Sequence, residues 1–257
     1  MPAALDPLDL FRLDGRVALV TGASAGLGAR FARVLHAVGA TVVMTARRAE
    51  RLEALAAQLP GSIPIAADMG VAGDRDRLIG EALDRAGRID VLVNNAGISY
   101  TVGIEQETLE QFEQAMQVNT TAVWHLTKLA APHMVERGSG SIVNVASMLG
   151  HVGSAPIKQA NYCASKGAVV NMTRELALQL ARKGVRVNAL CPGYFPSEMT
   201  EPMIGDEGSL EYLRTYSGIP RMGEDHELDG ALLLLATDAG SYITGHSLLV
   251  DGGFTAR

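Results

Sequence analysis

From Val17 to Gly28 the chain reads Val-Ala-Leu-Val-Thr-Gly-Ala-Ser-Ala-Gly-Leu-Gly. Four unbroken apolar residues, Val17 to Val20, predict a parallel strand buried on both faces. Gly22, Gly26 and Gly28 then form a turn, and helical patterning follows to about Val38. Strand, glycine turn and helix in that order are what a dinucleotide site requires. Gly22 permits a tight turn, Gly26 lets a pyrophosphate approach the backbone, and Gly28 lets the helix pack closely on the sheet. The exposed amides and dipole of the helix start, in the stretch that holds Ser24 and Leu27, would carry the phosphates. The spacing is G-x-x-x-G-x-G rather than the commoner G-x-G-x-x-G.

The next strand, Thr41 to Thr45, refines the cofactor. Folds that prefer NAD place an acidic residue near its end to bind the ribose hydroxyls. Here that place holds Ala46, followed by Arg47 and Arg48. A small residue leaves room and two guanidiniums suit a 2′-phosphate, which points to NADP, with NAD as the alternative.

The same rhythm repeats along the chain. Strands are expected at Ile63–Ala67, Ile89–Val93, Ser141–Ala146, Val185–Cys191 and Ser247–Val250. Helices are expected at Glu50–Leu59, Asp74–Ala86, Leu109–Glu136, from about Tyr162 to Lys183, and at Asp225–Thr237. Alternating strands and helices predict an α/β fold with a doubly wound, seven-stranded parallel sheet, a single domain over residues 1–257. Ligands of such sheets bind beyond the carboxyl ends of the strands. Asp68-Met69, Asn94-Asn95-Ala96-Gly97, Ser147 and Pro192-Gly193 all fall on that edge. Residues 1–12 read as an extension. The stretch 194–222, broken by Pro196, Pro202, Gly205, Gly208, Gly218 and Pro220, reads as an irregular substrate lid.

Composition excludes several classes. Hydrophobic residues make up 47% and charged residues 19% of the 257, the profile of a globular chain with a sizeable core. The net charge of −6 argues against a nucleic-acid or anionic-membrane partner. No apolar run approaches the ~20 residues needed to span a bilayer. Met1 to Leu10 carries Asp6 and Asp9 and lacks the pattern of a signal peptide. The two cysteines, Cys163 and Cys191, offer no metal-site spacing, so no metal is expected, and a reducing cytoplasm is the default location.

The chemistry gathers at Asn161-Tyr162-Cys163-Ala164-Ser165-Lys166. Tyr162 and Lys166 are four apart, so a phenol and an ammonium project from one helix face. Tyrosine, with a pKa of about 10, is a poor proton carrier at neutral pH. A fixed positive charge nearby is expected to lower that pKa and make it usable.

Taken in order, the glycine turn at 21–28, Asn94-Asn95-Ala96-Gly97, Asn119, Ser147, Tyr162 with Lys166, and Pro192-Gly193 resemble the short-chain dehydrogenases/reductases. The resemblance runs from about Leu13 to Phe254. It implies a Rossmann-type fold, a nicotinamide cofactor, reversible oxidation of a secondary alcohol to a ketone, and a homotetramer. By the same resemblance Tyr162 is the acid/base, and Lys166 lowers its pKa and bonds the nicotinamide ribose. Ser147 donates to the substrate oxygen, and Asn119 binds a water that links Lys166 to solvent. Asp68 and Met69 would meet the adenine. Asn95, Ala96 and Gly97 would line the groove. Pro192, Gly193, Phe195 and Ser197 would contact the nicotinamide end. The chain departs from the family in a slightly enlarged loop, Met148 to Asn161, and in Ser197, where threonine is common.

For substrate, the expected wall is Met148, His151, Val152, Tyr194, Phe195, Met199, Met203, Tyr212 and Tyr216. It is mostly apolar, without an arginine cluster for a carboxylate or phosphate, which suits a neutral ketone or secondary alcohol. The segments Asp9-Leu10-Phe11, His133 to Arg137 and Pro192 to Phe195 resemble the gluconate 5-dehydrogenase branch, which implies an NAD-dependent sugar or polyol dehydrogenase. A 3-oxoacyl-carrier-protein reductase is a further alternative, though the acidic net charge offers no docking patch for an acidic carrier. A cofactor-sensing binding protein on the same fold would not need all four catalytic side chains.

Overall fold

Strand β1 (Val17–Thr21) is buried along its whole length because its two faces serve two cores. Ala18 and Val20 point into one with Phe31, Leu35, Leu232 and Leu235. Val17 and Leu19 point into the other with Leu78, Leu126, Ile142 and Val187. A strand covered on both sides has no polar face, which is why its sequence shows no alternation.

In this computed structural model, residues 6–256 are described. The expected extension 1–12 therefore lies partly outside the described residues. After β1 come α1 (Gly26–Ala37), β2 (Thr41–Ala46), α2 (Ala49–Ala56), β3 (Ile63–Ala66), α3 (Ala72–Ala86) and β4 (Val91–Asn94). The second half runs α4 (Leu109–Met116), α5 (Ala122–Glu136), β5 (Gly140–Val145), α6 (Ala160–Leu180), β6 (Val185–Pro192), α7 (Glu207–Tyr216), α8 (Asp229–Ala236) and β7 (Ser247–Val250). The sheet has seven strands in the order β3-β2-β1-β4-β5-β6-β7, all parallel. Its strand order reverses between β1 and β4, the position where doubly wound sheets open a crevice.

Three elements differ from the sequence expectation. The stretch Leu109–Glu136 is interrupted at Gln117–Thr121 by a π turn, closed by Ala122 N–H donating to the Gln117 carbonyl. The segment 194–222, expected to be irregular, contains α7. Asp206 caps it by accepting from Ser209 N–H at 2.7 Å, a local signal hidden among flanking glycines and prolines. The helix expected from Asp225 begins as a 3-10 turn, Asp225–Leu228, held by reciprocal Glu224–Glu227 capping.

The crevice is latched by Thr21. Its Oγ1 accepts the backbone N–H of Asn95 at 2.9 Å and of Ala96 at 3.0 Å, while Asn95 Nδ2 donates to the Thr21 carbonyl at 2.9 Å. Valine has threonine's shape without its acceptor, so Thr21→Val strips the Ala96 amide of its partner and leaves the Asn95 amide only its 3.1 Å bond to the Val93 carbonyl. We expect urea denaturation to show a loss of about 2 kcal/mol at unchanged slope.

Candidate active site

The carboxyl ends of β1, β2, β4, β5 and β6 surround a groove of about 1070 Å³. Its phosphate end is built by the glycine turn. Gly22 and Gly26 adopt φ of +68° and +51°. A Cβ on Gly28 would sit 2.2 Å from the Gly22 carbonyl oxygen, so only glycine lets α1 start this close to β1. The N-cap residue, Ala25, has no side chain that could satisfy the first amides of α1. Those amides and the helix dipole are a cradle for a phosphate, so the residues present fit a dinucleotide.

The groove brings together Gly22, Ser24, Gly26, Leu27, Gly28, Arg47, Arg48, Asp68 and Met69 at this end. It brings together Asn95, Ala96, Gly97, Ser147, Tyr162, Lys166, Pro192, Gly193, Phe195 and Ser197 along the rest. Asn119 is not on the wall. It lies fully buried behind it, accepting from Ile98 N–H at 2.8 Å and donating to the Ile98 carbonyl at 2.8 Å and to Ser165 Oγ at 2.9 Å. Both amide hydrogens are thus used, and a water could meet only its remaining acceptor positions. Ser147 ends β5 and opens a 3-10 turn by accepting the Leu149 amide at 3.1 Å, which leaves its O–H to donate.

Tyr162 and Lys166 lie in α6, whose inner face also buries Asn161, Ser165, Val169, Val170, Thr173 and Ala177. Lys166 Nζ donates to the Val145 carbonyl at 2.7 Å and lies 5.5 Å from the Tyr162 ring centroid. A Cβ on Gly97 would come within 3.4 Å of Asn119 Oδ1 and 3.5 Å of Lys166 Nζ, so the glycine keeps this corner open.

The electrostatics correct the sequence expectation. Lys166 does not lower the Tyr162 pKa here. Burial pushes the phenol up to about 12, while hydrogen bonding with Ser147 pulls it only partway back. Burial also drives the Lys166 ammonium down to about 8. The ammonium lies over the ring face and is committed to Val145, so desolvation dominates for both groups.

Of the nine residues expected in the substrate wall, Phe195 and Met199 line the groove, while Met148, Val152, Tyr194 and Tyr212 pack in one cluster with Tyr162. Tyr194, Tyr212 and Tyr216 also cluster with Phe254, with ring centroids 4.8–6.3 Å apart, and fasten α7 to the C-terminal segment. Phe195 underlies Gly223, whose Cβ would collide with its ring. His151 faces Cys191 Sγ at 3.6 Å, and that thiol is buried, with its pKa raised to about 12.

Two contributors escaped the sequence. Arg75 looks like a solvated charge on an amphipathic helix, yet it is 2% exposed, donating to the Met69 carbonyl and to His125 Nδ1. It pins the loop that carries Asp68 and Met69. Glu198 lines the groove and pairs with Arg48. Neither stands in a local pattern that reveals its partner.

Residues 16–208 match the family profile described as short chain dehydrogenase. The chain belongs to this family. A gluconate 5-dehydrogenase of Gluconobacter oxydans is 39% identical over 252 residues, covering 96% of this chain and 97% of that relative. A 3-oxoacyl-[acyl-carrier-protein] reductase of Thermotoga maritima is 36% identical over 247 residues, covering 94% and 98%. Among solved structures, a gluconate 5-dehydrogenase from Burkholderia cenocepacia, in complex with NADP and tartrate, superposes with a TM-score of 0.92 at 34% identity, covering 98% and 100%. This short-chain dehydrogenase is therefore an oxidoreductase with a Rossmann-type fold. No helix among the described residues is long and apolar enough to cross a membrane, and no group of candidate metal ligands occurs among them.

The Lys166 shift has a thermodynamic consequence. Its folded pKa, near 8, lies below the ordinary 10.5. The folded state therefore carries the cost of a buried ammonium below about pH 8 and sheds it as pH rises toward 10.5. We expect Lys166→Met to be more stable than the parent at pH 7 by about 2 kcal/mol, after allowing for the lost bond to Val145. The gain should vanish by about pH 10.5, as read from denaturation midpoints across pH.

Proposed function

We propose that this short-chain dehydrogenase interconverts a secondary alcohol and a ketone with NADP(H), using Tyr162 as acid/base. The observation that carries the reading is the placement of Ser147, Tyr162 and Lys166 in one groove with the glycine turn. When bound, the nicotinamide supplies or takes the hydride. The chain's own residues handle the proton. In the reducing direction Ser147 O–H and Tyr162 O–H donate to the carbonyl oxygen and stabilise the charge that grows there. A phenol held near 12 stays protonated at neutral pH, which suits an acid. In the oxidising direction the alcohol proton passes to the tyrosine oxygen once that phenol is ionised, the reverse of the same transfer.

Preference for NADP is supported by Ala46, which leaves space, and by Arg47 and Arg48 on the groove rim. It is supported too by the NADP in the Burkholderia relative. Similarity to a gluconate 5-dehydrogenase favours a polyhydroxylated secondary alcohol as substrate. The 3-oxoacyl-carrier-protein reading gains nothing from a net charge of −6, which would repel an acidic carrier. In this reading residues 194–222 serve as the substrate lid, and the protein works in the cytoplasm.

Tyr162→Phe removes the proton donor and little else. It should lower kcat by roughly 10²–10⁴-fold while NADPH still quenches protein fluorescence with about the parental Kd. Substantial retained turnover across a panel of ketones and polyols would contradict the role.

We also propose a homotetramer. Strand β7 is an edge strand, with Leu249 exposed on it and Tyr242 fully exposed nearby, and Trp124 is exposed on α5. Unpaired edges and exposed apolar groups are what association covers. Light scattering should give four times the 27.1 kDa chain mass, and a monomer mass would overturn the assembly.

A further inference from the structure

The end of β2 lacks the acidic residue of NAD-type folds, having Ala46 in its place. A carboxylate nevertheless reaches this corner, from the other half of the chain. Glu198, in the segment after β6, takes a two-pronged hydrogen bond from Arg48, with Nη1 at 2.8 Å and Nη2 at 2.9 Å. Arg51 Nη1 donates to the same carboxylate at 2.6 Å, and Arg48 Nη2 also reaches Ser24 Oγ, in the glycine turn, at 3.0 Å. The neighbouring Ser197 Cβ lies 3.4 Å from where a Gly26 Cβ would stand, so this part of the lid rests on the phosphate turn. The guanidiniums hold the Glu198 carboxyl down at about 2, so it is an anion at every physiological pH.

A carboxylate and a phosphate monoester present the same oxygen fork to an arginine. Arg48 carries two bidentate edges: Glu198 takes the end-on fork of Nη1 and Nη2, and Ser24 takes the remaining Nη2 hydrogen of the side edge. A second anion gains the end-on fork only by displacing Glu198. We infer that Glu198 is an internal competitor for the cofactor's 2′-phosphate and sets the preference between NADP(H) and NAD(H) by tying lid position to occupation of Arg48. The inference rests on the NADP reading above. Arrival of the 2′-phosphate frees Glu198 from Arg48 and loosens the lid from the phosphate turn. A cofactor without that phosphate leaves the clasp closed. The pair is half-exposed, so the competition is modest and graded.

The test uses the whole protein and two fragments that differ in this phosphate, 2′,5′-ADP and 5′-AMP, with affinity read by calorimetry. Glu198→Gln keeps the shape and removes the charge. It should tighten 2′,5′-ADP by about 3- to 30-fold and change 5′-AMP by less than about twofold. In the parent, 2′,5′-ADP should speed hydrogen exchange in residues 197–204, and 5′-AMP should not. If the parent favours 2′,5′-ADP yet Glu198→Gln leaves its affinity unchanged or weaker, the competitor role is overturned while the NADP reading stands. If the parent binds both fragments equally and Arg48→Ala changes neither, the NADP reading fails, and the inference fails with it.

Discussion

One threonine hydroxyl ties the two halves of the sheet together where they would otherwise part. Crossovers run to opposite faces on either side of β1 and β4, and the gap between those strands is the crevice. Thr21 closes its base by accepting two amides from the turn after β4, and Asn95 returns a bond to the Thr21 carbonyl. The glycine turn and the Asn95–Gly97 segment therefore share one rigid reference. A ligand that spans from the first to the second meets phosphate-binding amides and reactive side chains at a set separation.

Burial does the chemical tuning at the reactive end. Tyr162 is pushed up to about 12 and Lys166 down to about 8, so each is driven toward its neutral form. The phenol stays protonated at neutral pH instead of becoming the phenolate that simple charge proximity suggests. The ammonium costs stability in the folded protein at neutral pH, a local expense that a functional site retains. Ser147 is the only neighbour among the causes of the Tyr162 shift that opposes the rise. Two side chains four residues apart on a helix thus interact less through their mutual field than through the dry space they share.

The rim behaves differently. Arg48, Arg51 and Glu198 keep about half of their side-chain surface in water, where charges are screened and contacts exchange at modest cost. The deep end holds groups that do not move and the outer end holds groups that can trade partners. The aromatic cluster of Tyr194, Tyr212, Tyr216 and Phe254 lies between these regimes, anchoring α7 by ring packing.

Strand positions, the glycine turn and the Tyr162–Lys166 pair were legible along the chain because each depends on local periodicity or close spacing, whereas Ser147 entered only through the family resemblance. Val17–Val20 announces a doubly covered strand without help from elsewhere, and residues 162 and 166 share a face through helix geometry alone. The helix α7 was missed because its cap, Asp206, sits among glycines and prolines that look like loop. Arg75 and Glu198 could not be assigned at all, and Asn119 was placed only through the family resemblance. Arg75 meets His125, Asn119 meets Ser165, and Glu198 meets Arg48, all tens of residues or more away. The amino-acid order by itself therefore determined the parallel sheet and the edge of it on which the candidate site lies. Only the folded chain decided which polar groups are buried and which are paired, and so what their protons do, because desolvation and charge pairing depend on neighbours that sequence proximity does not specify.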